Sequence, residues 1–420
     1  MTNPQNSNER RQESYWSLML TSLHYRNFRL VWLGSLTEHF GEFMEIAAIL
    51  WLVNEMTHSP LMLTIVGSCR FISMIPFAIV GGVVADRVNR RSLLIAALLG
   101  SSLLSVCLAM LAVTGVIAIW HLIVISLLGG VAMSFNHPAR QAIVPNVVKR
   151  EHLLNAISLD TLSVQAARMV GMLIAGYLIA IVGAWPIFII RALGCLVAIL
   201  WLSFARVPPT PPTTRELAPW HNLAEGFHYL RGNTIILALI VLYLIPWLTM
   251  NTYTNFLPVF ANDILRVGAV GYGYLQAAPG LGAIASLIGL TLLTYYKRKF
   301  MLLAGFGIIL GIGILGFSAS PWFILSLLLL VVIGGTQNAF VAVNTTLIQD
   351  IVPDKMRGRI ISWREVAFGL GPTGSILFGA IARYTGVPFS LGLLGGICLI
   401  ISLLLILLLS VRRRVSKILD

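Results

Sequence analysis

Three glutamates lie in one apolar stretch near the N-terminus, where carboxylates are candidates for chemistry. Glu38, Glu42 and Glu45 recur at spacings of four and three residues, which predicts that they share one face of a helix. Three close carboxylates repel each other strongly in an apolar medium. We therefore expect each of them to be protonated, paired with a cation or bound to a ligand.

Three interpretations of this stripe stay open. It could couple proton movement or bind a cationic solute, form a structural network with arginines, or hold a divalent metal ion. The candidate partners are arginines in other apolar stretches, Arg70, Arg168 and Arg191. His39 adjoins Glu38 but is predicted to point about 100° away. Since no second cluster of metal-ligating side chains occurs in another stretch, we predict no metal site and no cofactor.

The elements that must position these residues follow from composition. Apolar residues make up 57% of the chain and charged residues 11%, with a mean hydropathy of +0.87, whereas a soluble domain has about a quarter of its residues charged. Stretches of about 20 apolar residues span a bilayer as helices. The chain has twelve such stretches, which predicts an all-α membrane protein in a lipid bilayer. They begin near Phe28, Leu61, Ser92, Ile119, Asn155, Ala184, Thr234, Gly271, Phe300, Pro321, Ile360 and Val387.

The distribution of basic residues predicts the orientation. Of the 29 Lys and Arg residues, 23 fall on the two termini and the even-numbered loops, whereas the opposite loops carry only Arg266 and Arg383. Because basic loops stay in the cytoplasm, both termini are predicted to be cytoplasmic, in a bacterial inner (plasma) membrane. The net charge of +13 is thus a topology signal, and no nucleic-acid partner is expected.

The chain is predicted to consist of two related halves. Glycines around the fifth span, at 171, 176 and 183, recur around the eleventh at 374, 379 and 386. Parallel six-helix repeats flank the central cavity of one class of alternating-access transporters. The predicted boundaries are a cytoplasmic tail at 1–27, a six-helix half at 28–204, a cytoplasmic linker with an amphipathic helix at 205–233, a second half at 234–410 and a cytoplasmic tail at 411–420.

One loop carries a recognisable motif. After the second span, Gly82 is followed by Asp86-Arg87 and then by Arg90-Arg91. A glycine allows close helix packing, an aspartate can cap the next helix, and the arginines can pair with acidic or carbonyl groups when the cytoplasmic side is shut. This spacing resembles the signature loop of the major facilitator superfamily, which implies a gate at the cytoplasmic side.

The resemblance extends along the chain to one branch of that superfamily, the bacterial macrolide-efflux, enterobactin-exporter-like and transmembrane secretion effector proteins. It rests on short stretches at 25–30, 139–142, 167–168, 225–226 and 357–359. The resemblance implies a monomeric secondary transporter that works by alternating access. It also implies export of a drug, macrolide or siderophore type of compound, coupled to proton or sodium entry. One departure is Met172 after Gly171, where antiporters of the superfamily often have proline.

Aromatic and amide side chains dominate the second half and are candidates for the substrate cavity. Aromatic groups provide contact area and amides orient a sizeable amphipathic ligand, although helix packing alone also explains such residues. The candidates are Trp247, Asn251, Tyr253 and Asn255 in the seventh span, Tyr274 and Gln276 in the eighth, and Gln337, Asn338 and Asn344 in the tenth.

Two other functions remain as alternatives to efflux of an amphipathic or cationic compound by proton antiport. The same fold could move a lysolipid or a divalent metal ion, or the chain could be a transport-inactive scaffold. An enzyme is not expected, because no nucleophile with a histidine base is evident within the apolar stretches.

Overall fold

The chain folds into long helices that run back and forth, as a computed structural model shows. The structure describes residues 21–206, 219–293, 296 and 298–419. Twelve long helices lie within these residues: α1 (Arg26–Thr57), α2 (Pro60–Arg87), α3 (Arg90–Val113), α4 (Ile119–Val147), α5 (Leu153–Val182), α6 (Trp185–Phe204), α7 (Thr234–Val259), α8 (Gly268–Leu292), α9 (Lys299–Ser318), α10 (Phe323–Ile351), α11 (Asp354–Thr385) and α12 (Val387–Leu419). A shorter helix, the linker helix (Pro219–Gly232), precedes α7.

Local sequence signals set where several helices begin and end. Before α2, the Ser59 side chain accepts the Met62 N–H and Pro60 occupies the first turn, a favoured start. Gly183 and Gly386 follow α5 and α11 with φ of 90° and 87°. Glycine adopts this left-handed backbone without steric cost and stops a helix.

The two halves use equivalent glycines for equivalent contacts. Gly171 in α5 approaches the backbone of α1, so that an added Cβ would lie 2.9 Å from the Phe40 carbonyl oxygen, and Gly374 in α11 packs on the Leu248 side chain of α7. Gly176 in α5 packs on α8, and Gly379 in α11 packs on α2. Helices five, one and eight thus correspond to eleven, seven and two. The predicted architecture of two pseudo-symmetric six-helix halves is confirmed.

Length and composition fit a membrane protein. Eleven helices among the described residues are long and apolar enough to cross a bilayer. The remaining long helix is α1, which has 32 residues and carries the three-glutamate stripe. At 1.5 Å per residue α1 is about 48 Å long, which is long enough to cross a bilayer. It differs from the other eleven helices in the charged residues of its apolar stretch.

The buried core shows where the two halves meet. One cluster draws residues from both halves, with Trp51 and Phe188 beside Phe260 and Phe317. Two further clusters each stay within one half, around α1, α4 and α6 in the first and α7, α10 and α11 in the second. These two lie at the face where α1 begins and α12 ends, which we call the terminal face. The halves are therefore joined at the opposite face and separate at the terminal face.

Close contacts build the joined side, which we call the outer seam and which comprises the α5–α8 and α2–α11 contacts. A Cβ on Gly176 would lie 2.7 Å from the Cα of Gly273. Between α2 and α11, the Ser68 hydroxyl donates to the Pro372 carbonyl oxygen at 2.7 Å. Because backbone touches backbone here, the outer seam has no room for larger side chains.

The linker helix lies on the start of α11. Phe227 stacks on Trp363 with ring centroids 5.5 Å apart, and Arg359 pairs with Glu225. A helix was predicted in this linker, and its contacts attach it to the second half. The tail at 1–20 and the proline cluster at 208–212 lie outside the described residues. α12 continues to Leu419 through the segment predicted as a tail.

A larger side chain in the outer seam should open it. In Gly273→Leu the added Cβ would lie 3.0 Å from the Met172 carbonyl oxygen and the Gly176 Cα, so we expect the outer ends of the halves to separate. The distance between spin labels at positions 114 and 319, on outer loops of the two halves, should increase. Pulsed electron–electron double resonance measures this distance.

Gly289→Leu is the matched control, because Gly289 lies on the same helix and an added Cβ meets nothing within 4 Å. Unchanged label distances in Gly273→Leu would show that the seam does not hold the halves together.

Candidate functional site

A cavity of about 590 Å³ lies between the two halves. Its lining reaches Val144 and Pro145 near the end of α4 and Ile157 near the start of α5, and both of these helix ends lie at the terminal face. Toward the other face the lining stops at Leu50 in α1, where the shared apolar cluster fills the bundle. The cavity therefore opens toward the terminal face and is closed by the outer seam.

All three glutamates of the α1 stripe line this cavity. Their side chains are 4%, 14% and 8% exposed for Glu38, Glu42 and Glu45. Close packing of α6 against α1 forms this wall, since a Cβ on Gly41 would lie 2.9 Å from the Cα of Arg191. The predicted single face is thus present, and Glu42 is its most accessible member.

Glu38 is held by two arginines. It pairs with Arg140 of α4 and lies 3.5 Å from Arg191 of α6, measured from Oε1 to Nη2. Arg191 also donates to the Glu38 backbone carbonyl at 2.6 Å, and the Asn136 amide donates to Oε1 at 3.2 Å. Glu38 therefore ties α1 to both α4 and α6.

Glu42 and Glu45 share Arg70 of α2. Its two terminal nitrogens lie 3.3 Å from Glu42 Oε1 and 3.6 Å from Glu45 Oε2. Glu45 also lies 3.6 Å from Arg191 Nε and accepts a hydrogen bond of 2.8 Å from the Ser105 hydroxyl of α3. All three carboxylates contact guanidinium groups, which is the arrangement that the structural-network interpretation requires.

His39 lies inside this network, contrary to the expectation that it points away. Its Nδ1 lies 3.2 Å from Glu42 Oε2, and its Nε2 meets Arg140. A guanidinium can only donate hydrogen bonds, so Nε2 accepts and Nδ1–H donates to Glu42. The helical spacing of three residues from His39 to Glu42 explains this contact, because the long side chains bridge the difference in angle.

Two of the three predicted arginine partners pair with the stripe, and the third does not. Arg70 and Arg191 contact the glutamates, whereas Arg168 lies 3.7 Å from the Met250 sulfur and 5.9 Å from the centre of the Phe43 ring. The third arginine partner is Arg140, one of the 23 basic residues that the sequence predicts to lie on the termini and cytoplasmic loops. α4 continues through two prolines to Val147 and carries Arg140 into the bundle.

The motif after the second span lies at the end of α2. Gly82, Asp86 and Arg87 are within the helix, but their side chains are outside the described residues, so their predicted gating role stays a prediction. Arg90 and Arg91 begin α3. Arg91 donates to the Ser203 carbonyl oxygen of α6 at 2.6 Å, which links two helices of the first half.

Four of the nine cavity candidates from the second half line the cavity. Trp247, Asn251 and Asn255 share one face of α7, and Gln276 approaches from α8. Tyr253 lies two residues from Asn251 and Asn255 and so faces the opposite side. It is buried and donates to Gln337 at 3.4 Å.

The other candidates serve helix packing, which corrects their assignment to the cavity. Gln337 donates to the Pro246 carbonyl oxygen at 2.7 Å, Asn338 to the Ser286 hydroxyl at 2.8 Å and Asn344 to the Leu239 carbonyl oxygen at 3.0 Å. Tyr274 is 40% exposed and hydrogen-bonds to Tyr177 at 2.8 Å. These contacts tie neighbouring helices together, as polar side chains do in membranes.

Several lining residues had no sequence signal of their own. Phe43, Phe71, Phe368 and Met250 give the cavity apolar walls, but single aromatic and sulfur side chains do not stand out in apolar spans. Asp160 of α5 also lines the cavity. An acidic residue in an apolar span is a signal that could have identified it.

Comparisons with known proteins agree with this geometry. Residues 18–418 match the family model described as transmembrane secretion effector. The enterobactin exporters EntS of Shigella boydii serotype 18 and of Escherichia coli O81 are each 30% identical over 373 residues, covering 86% of both chains.

Solved structures share the fold at low identity. A bacterial homologue of the human lysosomal transporter Spinster, in an inward-facing and occupied conformation, has a TM-score of 0.72 at 16% identity, covering 92% of this chain and 97% of its own. The nucleoside transporter NupG has a TM-score of 0.69 at 13% identity, covering 90% and 98%.

Removing the most buried carboxylate should destabilise the fold. Glu38→Gln leaves Arg140 without its carboxylate partner and Arg191 with Glu45 alone, and breaking a buried pair lowers the free energy of unfolding by about 3–5 kcal/mol. Thermal unfolding of the detergent-solubilised protein measures the effect. Glu55→Gln, on the exposed end of the same helix, is the control and should unfold near the wild-type temperature.

Adding Arg140→Gln to Glu38→Gln should restore part of the lost stability, because the two changes remove one pair. Wild-type unfolding temperatures in both single variants would contradict the network.

Proposed function

The chain belongs to the transmembrane secretion effector family of the major facilitator superfamily, and we propose that it exports an amphipathic organic compound by proton antiport. Family membership makes the chain a multi-pass inner-membrane transporter of a small molecule and not an enzyme. The observation that supports the finer proposal is a cavity between the halves whose walls are apolar while its α1 side is charged.

The cavity suits a drug-sized amphipathic molecule. Its volume of about 590 Å³ lies in the range of small-molecule sites. Trp247 and Phe368 pack edge to face with ring centroids 4.5 Å apart, and Phe71 lies 6.0 Å from Phe368, so aromatic rings from both halves enclose one side. Amides at Asn251, Asn255 and Gln276 can orient polar groups of the ligand.

Proton coupling is best assigned to Glu42 with His39. Glu42 is the most exposed of the three carboxylates, so water in the open cavity can reach it. Its ion pair with Arg70 needs an ionised carboxylate, and protonation would weaken that pair. Since Arg70 lies on α2, which also forms the outer seam with α11, this change can reach the contact between the halves.

The paired state of the stripe argues against a cationic substrate on α1. Each carboxylate already contacts an arginine, so a cation would have to displace a guanidinium. We propose that the terminal face is cytoplasmic, as the basic loops predict. The cavity then faces the cytoplasm and can load the compound to be exported.

Neutralising Glu42 should uncouple transport without unfolding the protein. In proteoliposomes carrying a pH gradient, Glu42→Gln should lose pH-driven accumulation while exchange of solute at equal concentrations continues. The measurement uses erythromycin, enterobactin and ethidium as test solutes, after a thermal-shift screen shows which of them bind.

Glu55→Gln is again the control and should transport like the wild type. Full pH-driven accumulation by Glu42→Gln would show that this carboxylate does not carry the proton.

A further inference from the structure

We propose that Arg168 binds an anionic group of the exported molecule, which makes the substrate an amphipathic acid. This inference rests on the proposed export function and adds the chemical class of the substrate. It starts from the one cavity-lining arginine that the glutamate stripe leaves without a carboxylate among the described residues.

Arg168 sits midway along α5, which runs from Leu153 to Val182, and so lies near the centre of the membrane. Transporters of this architecture bind their substrates at that depth. Its guanidinium faces the cavity and touches Met250 of the second half and Phe43 of the first. A ligand at this position would contact both halves at once.

The charges around the cavity leave Arg168 unbalanced. The three glutamates of α1 are compensated by Arg70, Arg140 and Arg191. The other acidic residue of the lining is Asp160. It lies eight residues earlier on α5, about 12 Å along the helix axis toward the terminal face. Direct pairing with Arg168 is therefore ruled out by distance.

An uncompensated cation at mid-membrane is costly and marks a functional site. Here the water-accessible cavity reduces this cost. The Phe43 ring reduces it further by a modest amount, because a cation is attracted to an aromatic face. A carboxylate, sulfonate or catecholate group of a ligand would provide the missing charge with charge-assisted hydrogen bonds.

Unused hydrogen-bonding atoms of the cavity lining point to the same chemistry. Buried atoms without a partner among the described residues include Arg168 Nε, Trp247 Nε1 and Asn255 Nδ2, all donors, and Gln276 Oε1, an acceptor. All four residues line the cavity. Because donors outnumber acceptors, the site favours a ligand that is rich in acceptors, and the apolar walls favour an aromatic or aliphatic body.

The test compares three probes that share one aromatic body: 1-pyrenebutyric acid, 1-pyrenebutanol and 1-pyrenebutylamine. Saturable binding is measured by equilibrium dialysis with the full-length protein in nanodiscs, with empty nanodiscs as the blank. We expect the acid to bind about tenfold more tightly than the alcohol, as one charge-assisted contact would give.

Arg168→Gln should remove this preference for the acid, and Arg168→Lys should keep much of it. Arg383→Gln, at an exposed position near the end of α11 and outside the cavity lining, is the matched control and should leave binding of the acid unchanged. Since Arg168 has no carboxylate partner among the described residues, these variants are expected to fold, and their unfolding temperatures check this.

Three results would overturn the proposal: tighter binding of the amine, an acid preference that survives in Arg168→Gln, or no saturable binding of the acid. Monoacyl phosphatidylglycerol as competitor separates two sources of the anion. If it displaces the acid from the wild type but not from Arg168→Gln, a lipid headgroup uses this site. If it does not displace the acid, free acids use it.

The binding preference does not depend on flux. A protein that binds the acid through Arg168 but fails to exchange solute for protons would contradict the proposed function and leave this site intact. Proton-coupled export of a cation that continues in Arg168→Gln would contradict the anion site at Arg168 and leave the proposed function intact.

Discussion

Buried carboxylates require compensation, and the way α1 meets this requirement organises the first half of the molecule. Glu38, Glu42 and Glu45 recruit arginines from α2, α4 and α6 and a serine from α3. These contacts lie at mid-membrane, where an unpaired charge is costly. The network thus holds five helices of one half together, and a conformational change must occur between the halves.

The second half is built differently, and this asymmetry creates the cavity's chemistry. Its helices are joined by amides that donate to backbone carbonyls, as Gln337 and Asn344 do, so its cavity face is aromatic and uncharged. A ligand between the halves meets ionic groups on one side and rings on the other. The outer seam closes the far end through glycine contacts, which can separate without breaking ion pairs.

Much of the fold could be predicted from the sequence because apolar length, basic loops and repeated glycines are local signals. The helical stripe of glutamates was equally readable, since spacing alone places them together. Which arginine meets which glutamate could not be predicted, because that depends on how far α4 continues past Pro138 and how α5 is rotated. For these reasons the sequence did not predict that Arg140 pairs with Glu38 or that Arg168 contacts Met250 and Phe43 instead of the glutamates. The sequence also could not predict that the amides of α10 face neighbouring helices and not the cavity. The rotation of a helix about its axis is set by packing partners that are distant in sequence.

Under the proposed proton coupling, protonation of the α1 network shifts the balance between the terminal-open and terminal-closed states. The most direct test of this shift is pulsed electron–electron double resonance. It measures the distance between spin labels at positions 151 and 298, on the terminal face of the two halves. Lowering the pH from about 7 to about 4, through the ordinary glutamate pKa of about 4.3, should shorten the distance in the wild type and leave the distance in Glu42→Gln unchanged. A distance that is independent of pH in the wild type, or an equal response in Glu42→Gln, would contradict the account.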